Sequence, residues 1–344
     1  MKMKHATVMA SEIHEIPSVL NAQIAKGLEQ YIAAGRAAAA GRPHGFVTCA
    51  RGTSDHAATF FKYVMELKTG LPVASIGPSV ASVYDTPLKL DGFACLTFSQ
   101  SGGSPDLAAL QAAANAGGAT TYAFLNVTES PVGHGADFVL PLLAGPEVAV
   151  AATKSYVATL FAILGFAAGF CEDKVLEKAL RGFPDQARLA LSQNWTKAQF
   201  SLARAASLFT VGRGPGMAVA AEAALKLKET CRIHAEVYSA AEVLHGPVVI
   251  AQRQFAALLF DPEDKARQSV LDVNDALADK QADAYLVTSQ ANGAHCLPVP
   301  ASQHPLLIPL LQIIGFYVFV EELARKLGEN ADAPEGLNKV TITL

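Results

Sequence analysis

A lysine and two glutamates share one face of a predicted helix in the second half of the 344-residue chain. Glu222, Lys226 and Glu229 are spaced i, i+4 and i+7 within the segment 221–229. From this spacing alone, a solvated stripe of salt bridges is the more common interpretation. The next predicted strand, however, is followed by His245. A carboxylate, a lysine and a histidine near the open end of a sheet can transfer protons, so we keep both interpretations.

A second polar cluster follows a predicted strand in the first half. The loop Ser99-Gln100-Ser101-Gly102-Gly103-Ser104 precedes Pro105, which opens an alanine-rich helix. Hydroxyls, an amide and backbone N–H groups at a helix N-terminus favour an anion, which predicts a phosphate site. The alternative is an ordinary connector with Ser104 as the helix N-cap. Arg51 and Ser54 follow an earlier strand and either bind the same phosphate or form a structural turn.

Both clusters lie in two copies of one pattern of strands and helices. Aligning Arg51 on Arg213 gives an offset of 213 − 51 = 162, and the strand 93–98 falls on 255–260 at the same offset. Strands are predicted near 45–50, 72–76, 93–98, 121–125 and 137–141, and again near 207–212, 233–237, 254–260, 283–288 and 296–299. The pattern predicts an α/β fold with two tandem doubly wound parallel sheets covered by helices on both faces, which bind ligands beyond the carboxyl ends of their strands.

The repeat divides the chain into predicted domains. These are an N-terminal arm and helix (1–34), a first domain (35–171), a helical connector (172–199), a second domain (200–330) and a tail that carries Lys339 (331–344). The second-half counterpart of the phosphate loop, Asp261–Ala266, carries carboxylates that would repel phosphate, so only the first half is expected to hold the anion. The glycines of Gly212–Gly216 match a dinucleotide fingerprint poorly, because the third comes one residue early.

Composition and charge narrow the class of partner. A net charge of −4 with 17% charged residues provides no basic surface for nucleic acid or an anionic membrane, so a small-molecule partner is predicted. The five cysteines form no Cys-x-x-Cys pair or metal-ligand cluster, and neither a metal nor a cofactor is predicted. The N-terminus lacks the apolar region of a secretory signal, which predicts a cytoplasmic location. The apolar stretches 155–171 and 305–320 are too short for a bilayer and are predicted as buried helices.

Motifs along nearly the whole chain resemble the sugar isomerase (SIS) domain family, in particular the isomerase half of glucosamine-6-phosphate synthases and the related stand-alone aminosugar-phosphate deaminases. The matching segments are MASEIHEIP (9–17), Gly52-Thr-Ser, Ser99-Gln-Ser-Gly, AGPEVAVAATK (144–154), AALKLKE (223–229), Ile233-His-Ala-Glu, EVLHGP (242–247) and DAPEGLNKVT (332–341).

The resemblance implies a role for each matching residue. It implies that Glu229 is the base that moves a proton between C1 and C2 of a sugar phosphate. Lys226 is implied as its electrostatic helper, His245 as a ring-opening group that reaches the neighbouring subunit's site in a homodimer, and Lys339 as the lysine that can form an imine with the open-chain carbonyl. The implied substrate-binding and phosphate-binding residues are Arg51, Ser54, Ser99, Gln100, Ser101, Ser104 and Ala151.

Departures from the family pattern shape the predicted reaction. The sequence begins MKMKH, without the cysteine nucleophile of a glutaminase, so we expect free ammonia and the deaminating direction: glucosamine 6-phosphate and water to fructose 6-phosphate and ammonia. Arg51 stands where the synthase motif has cysteine, and Glu335 where the tail has arginine, so the sugar stays open. Alternatives are processing of another aminosugar phosphate or of fructosamine 6-phosphate, or a non-catalytic phosphosugar sensor.

Overall fold

Ten strands form two five-stranded parallel sheets among residues 6–205, 207–290 and 292–339, the parts of the chain that the computed structural model describes. The strands are β1 (Gly45–Cys49), β2 (Val73–Ser75), β3 (Phe93–Ser99), β4 (Thr120–Leu125), β5 (Phe138–Pro141), β6 (Ser207–Gly212), β7 (His234–Ser239), β8 (Ala256–Phe260), β9 (Asp283–Thr288) and β10 (Cys296–Pro298). Each predicted strand forms, with ends within two residues of the prediction.

Helices separate the strands. They are α1 (Val8–His14), α2 (Ile16–Lys26), α3 (Leu28–Ala40), α4 (Thr53–Thr69), α5 (Ser79–Ser82), α6 (Pro105–Ala116), α7 (Pro131–His134), α8 (Lys154–Phe170), α9 (Lys174–Arg181), α10 (Phe183–Leu191), α11 (Thr196–Arg204), α12 (Gly216–Cys231), α13 (Ala240–Val243), α14 (Arg267–Asp279) and α15 (Ile308–Leu327). Short 3₁₀ turns cover Pro247–Ile250 and Pro305–Leu307.

The two sheets have the same strand order, as the repeat predicts. The first sheet is ordered β2-β1-β3-β4-β5, and the second, β7-β6-β8-β9-β10. Their first strands begin at Gly45 and Ser207, and 207 − 45 = 162 reproduces the predicted offset. Residues of β1 and β8 are buried throughout, as expected for parallel strands covered on both faces. The predicted tandem α/β fold is therefore confirmed.

Contacts group the described residues into two units. The N-terminal unit comprises 18–147 and 154–182, and the C-terminal unit comprises 6–17, 148–153 and 183–339. This grouping differs from the predicted boundaries, because the arm 1–34 and the connector 172–199 are each divided between the units. Helix α1 groups with the C-terminal unit because its first turn is hydrogen-bonded to residues near the end of the chain. The Thr7 hydroxyl donates to Glu321 at 2.6 Å, and the Asp332 carboxylate accepts the backbone N–H of Met9 at 2.8 Å.

The core of the N-terminal unit is built around the first apolar stretch. Residues of α8 are almost all buried, and the rings of Phe61, Phe98 and Phe124 pack with Phe166 of this helix or with one another. Close approach of α3 to α8 requires glycine at position 35, since a Cβ there would lie 2.0 Å from the Phe166 carbonyl oxygen. The stretch 155–171 is confirmed as a buried helix.

The second apolar stretch forms α15 in the C-terminal unit. Within the described residues, Pro305–Leu327 has the length and composition of a membrane span, but 83% of its most apolar window is buried inside the protein. Burial of this kind is typical of a core helix and confirms the predicted burial of 305–320, but the expectation that the stretch is too short for a bilayer is wrong, because the helix continues to Leu327. The cytoplasmic location stays a prediction.

Candidate active site

The predicted phosphate loop is an ordered turn between β3 and α6. The hydroxyl of Ser99, buried at the end of β3, accepts the backbone N–H of Gly102 at 3.0 Å, and the Ser101 hydroxyl accepts that of Gly103 at 3.3 Å. The carbonyl of Gln100 accepts the N–H of Val127 at 3.1 Å. These bonds hold the loop at the carboxyl end of the strand, where open parallel sheets bind ligands.

Ser104 occupies the N-cap position of α6, but its side chain makes no capping hydrogen bond. The connector interpretation gave that hydroxyl a capping role, which the structure does not show. The first turn of α6 lies at the positive end of the helix dipole, where the N–H of Leu107 is bonded to the Asp106 carboxylate. Phosphate binding by Ser99, Gln100, Ser101 and Ser104 stays a prediction, and this arrangement supports it.

Arg51 has a partner that sequence reasoning missed. Its Nε donates to the Asp106 carboxylate, which is 1% exposed and also accepts the N–H of Leu107 at 2.9 Å. The ion pair ties the loop after β1 to the first turn of α6. Half of the Arg51 side chain, 46%, is exposed. Ser54 lies partly exposed in the first turn of α4. The acidic residue directly after Pro105 was the available signal for this pair.

We expect Gly102→Ala to weaken binding of sugar phosphates. Gly102 has φ +60, and a Cβ there would lie 2.1 Å from the Ser130 hydroxyl, so alanine must displace the turn. A strained backbone of this kind costs about 1–3 kcal/mol. Thermal-shift titration with glucosamine 6-phosphate should show at least a tenfold higher apparent Kd. Gly103→Ala is the matched control, since its Cβ would meet only the Ser101 hydroxyl at 3.7 Å. Equal affinity of the two variants would contradict the prediction.

The corresponding loop of the C-terminal unit is occupied by its own carboxylates. The fully buried Asp261 accepts Arg267 Nε at 3.0 Å and the Thr288 hydroxyl at 2.9 Å. Glu263 accepts the backbone N–H of Ser289 at 2.6 Å and its hydroxyl at 2.7 Å. Donors that would serve a phosphate are thus taken by side chains of the loop itself. This supports the prediction that only the first half holds the anion.

Glu222, Lys226 and Glu229 form a buried ionic cluster on α12, so the interpretation as a solvated stripe is wrong. The side chains of Glu222 and Lys226 are 0% and 1% exposed, and that of Glu229 is 25% exposed. Lys226 Nζ lies 3.3 Å from Glu222 Oε1 and 2.5 Å from Glu229 Oε2. The Tyr317 hydroxyl of α15 donates to Glu222 Oε1 at 3.0 Å. Tyr317 carried no sequence signal, because it lies within an apolar run.

The two carboxylates of the cluster differ in their exposure to solvent. Burial alone would lower the pKa of Lys226, but the negative charges and hydrogen bonds of Glu222 and Glu229 outweigh it, and the net effect raises this pKa. Lys226 therefore remains an ammonium at neutral pH. Glu222 is enclosed by Lys226 and Tyr317, whereas Glu229 reaches solvent. Glu229 is thus the member of the cluster that can meet a substrate.

His245 lies on an exposed turn after α13, where its backbone N–H donates to the Glu242 carbonyl at 3.0 Å. Among the described residues its ring makes no hydrogen bond to the ionic cluster. Apolar side chains around it are also exposed, namely Leu244, Val249 and Ile250. The predicted contribution of His245 to a neighbouring subunit stays a prediction.

Lys339 contacts the segment 148–153, which is 190 residues earlier in the chain. Its Nζ donates to the Ala149 carbonyl at 2.6 Å. Ala151, in the same segment, is buried. Lys339 and Ala151 belong to the C-terminal unit, as do Glu222, Lys226 and Glu229. The structure thus brings the tail lysine to the segment that contains Ala151, while the phosphate-loop residues belong to the N-terminal unit.

Comparison with known proteins places the chain in a family. The SIS domain model matches residues 44–168 and 201–297. A glutamine–fructose-6-phosphate aminotransferase (isomerizing) from Symbiobacterium thermophilum is 33% identical over 366 aligned positions, covering 97% of this chain and 59% of the relative. Its counterpart from Aquifex aeolicus is 30% identical, covering 85% of this chain and 50% of the relative. The chain therefore spans about half to three fifths of the length of these curated relatives.

A solved structure is also closely similar. A Silicibacter pomeroyi DSS-3 protein, provisionally described as a phosphosugar isomerase, superposes with a TM-score of 0.90 at 40% identity, covering 95% of this chain and all of that one. The family model covers well over half of the chain, in two stretches that follow the two repeats. The chain belongs to the SIS domain family.

Proposed function

We propose that this SIS protein is an aldose–ketose isomerase of 6-phosphorylated amino sugars that releases ammonia. Its principal reaction would convert glucosamine 6-phosphate and water to fructose 6-phosphate and ammonia. The observation that carries the proposal is the Lys226 ammonium held between two carboxylates, of which only Glu229 reaches solvent. The 33% identical relative supports the substrate class, because its name contains both fructose 6-phosphate and an isomerising amino transfer.

The proton transfer follows from this arrangement. In the open-chain aldose, Glu229 removes the proton from C2, and the electron pair moves through C1 to the carbonyl oxygen to give an enolamine. The proton then returns from Glu229 to C1, which leaves an imine at C2. Lys226 stabilises the negative charge that develops during transfer and holds the Glu229 carboxylate in place. One carboxylate therefore serves as base and then as acid.

Release of ammonia requires a second nucleophile. We assign this step to Lys339, whose neutral amine would attack the C2 imine carbon and expel ammonia. Water then cleaves the new imine to give the ketone and the free lysine. In the structure the Nζ of Lys339 donates a hydrogen bond to the Ala149 carbonyl at 2.6 Å, which places this nitrogen. The phosphate would be held by the Ser99–Ser104 loop at the N-terminus of α6.

A substrate panel tests the proposal. The purified chain is incubated with glucosamine, galactosamine and fructosamine 6-phosphates, and ammonia and ketose phosphate are measured together. We expect equal amounts of ammonia and fructose 6-phosphate from glucosamine 6-phosphate. Faster turnover of another member of the panel would change the sugar while keeping the chemistry. Thermal stabilisation by all three compounds without turnover of any would refute the enzyme and favour a sensor.

We also propose a cytoplasmic homodimer in which His245 serves the neighbouring subunit. Support comes from the exposed position of His245 beside the exposed apolar side chains of Leu244, Val249 and Ile250, which a second copy would cover. Light scattering on the active protein measures its oligomeric state directly. A fully active monomer would refute it.

A further inference from the structure

Glu12 is a buried carboxylate of the N-terminal helix α1 that binds a segment far along the chain. It is 3% exposed, and its two oxygens accept the backbone N–H groups of Val148 and Ala149, the latter at 3.3 Å. One carboxyl group thus accepts hydrogen bonds from two consecutive amides. They fix the direction of the backbone at Val148 and Ala149.

The same residue, Ala149, contacts Lys339 through its other backbone group. Its N–H donates to Glu12, and its carbonyl oxygen accepts a hydrogen bond from Lys339 Nζ at 2.6 Å. The carbonyl lies in the peptide plane that Ala149 shares with Val150, whose N–H is held by the Asp332 carbonyl at 2.9 Å, so Glu12 acts on it through the backbone dihedrals of Ala149. Rotation about these dihedrals would move the carbonyl away from the lysine. The position of Lys339 Nζ therefore depends in part on a carboxylate that does not itself contact the proposed reacting atoms.

A second tether acts on the tail seven residues before Lys339. The Asp332 carboxylate accepts the N–H groups of Val8 and Met9 at 3.0 and 2.8 Å, and its carbonyl accepts the N–H of Val150 at 2.9 Å. Three consecutive amides, those of residues 148–150, are thus bonded either to Glu12 or to the tail. Helix α1 therefore binds the segment 148–149 through Glu12 and the tail through the N–H groups of Val8 and Met9. All of these residues belong to the C-terminal unit.

We propose that Glu12 is a positioning residue for Lys339: it orients the Ala149 carbonyl, which in turn places the lysine amine for attack on the substrate carbon. The inference rests on the proposed function, because it takes Lys339 as the imine-forming lysine. A displacement of about 1 Å at a reacting group can cost on the order of 10²-fold in rate. Loss of Glu12 should therefore lower kcat by about that factor and leave KM within about twofold, since the phosphate loop lies in the other unit.

Borohydride trapping tests this role separately from turnover. The purified chain is mixed with fructose 6-phosphate, so that the lysine amine displaces the carbonyl oxygen as water, and borohydride then reduces the imine to a stable secondary amine. Peptide mass spectrometry locates and quantifies the adduct at Lys339. We expect E12Q to give at least tenfold less adduct than the wild type at equal substrate saturation, and E12D to recover part of it. Glu15→Gln, an exposed carboxylate at the end of the same helix, should trap normally.

The outcomes distinguish a failure of the imine role of Lys339 from a failure of the positioning role of Glu12. If the wild type forms no adduct, the imine role of Lys339 is refuted, and this inference with it. If wild type and E12Q trap equally and share one kcat, the positioning role is refuted while the proposed function stands. E12D, which keeps the carboxylate but shortens its reach to Val148 and Ala149, provides a second reading should E12Q fail to fold. Trapping and kcat equal to those of the wild type in E12D would then overturn the inference.

Discussion

Glu229→Gln is expected to abolish turnover of glucosamine 6-phosphate while leaving the protein folded. Glutamine keeps the size of the side chain and can still accept a hydrogen bond from Lys226 Nζ, now 2.5 Å from Glu229 Oε2. It cannot take a proton from carbon. A positioned general base contributes about 10²–10⁴-fold to a rate, so kcat should fall by at least about 10²-fold. KM should change little, because phosphate binding is assigned to other residues.

Deuterium incorporation at a substrate concentration that saturates both proteins in thermal-shift titration separates this effect from a loss of binding. The carboxyl proton of Glu229 can exchange with D₂O before it is returned, so the wild type should place deuterium at C1 of fructose 6-phosphate, and E229Q should not. The matched control is Glu177→Gln on α9, since Glu177 is 19% exposed and also pairs with cations, Lys174 and Arg181. Undiminished exchange in E229Q would assign the base to another residue and refute the role of Glu229.

Lys226→Met is expected to have the largest effect on stability. The ammonium lies between two carboxylates, one of which, Glu222, is completely buried. Removing one partner of a buried ion pair costs about 3–5 kcal/mol, because it leaves an uncompensated charge. Activity should also be lost, since the cation that stabilises the developing charge is gone. Urea unfolding measured at pH 7 provides the free energy of unfolding for both proteins.

A double variant identifies the cause of that loss. Adding Glu222→Gln to Lys226→Met removes the uncompensated charge and keeps an oxygen that can accept the Tyr317 hydroxyl, so about half or more of the lost stability should return. Activity should not return. If the double variant is less stable than Lys226→Met alone, charge burial is not the cause, and loss of side-chain packing would explain the result instead.

The pH dependence of this contribution has a definite sign. Because the folded pKa of Lys226 is raised, the stability that it provides is fully present below the ordinary lysine value of about 10.4 and is lost only as pH rises through the folded pKa. The difference in unfolding free energy between the wild type and the double variant Lys226→Met/Glu222→Gln should therefore stay constant from about pH 6 to 9, because the double variant has no uncompensated buried carboxylate that could take up a proton in this range. A difference that fell within this range would contradict the raised pKa.

The positions of the strands along the chain and the place of the Ser99–Ser104 loop after a strand could be predicted from the amino-acid sequence. Strand positions follow from apolar runs and turn residues, which are local signals, and the 162-residue repeat doubled each signal. The Ser99–Ser104 loop could be located because it directly follows a strand of an α/β pattern. A loop at the carboxyl end of a parallel strand can be recognised in a sequence, because it is the segment that directly follows that strand, and open α/β sheets bind ligands at this edge.

Burial and long-range pairing were decided by the tertiary structure alone. The i, i+4, i+7 spacing of Glu222, Lys226 and Glu229 is the same on a solvated helix as on a buried one, and only packing of α12 against α15 with Tyr317 makes it an enclosed ionic cluster. The pairing of Arg51 with Asp106 joins two loops 55 residues apart. Residues 12, 149 and 339 meet because backbone groups bind regardless of side-chain type, and no periodicity or composition records such contacts.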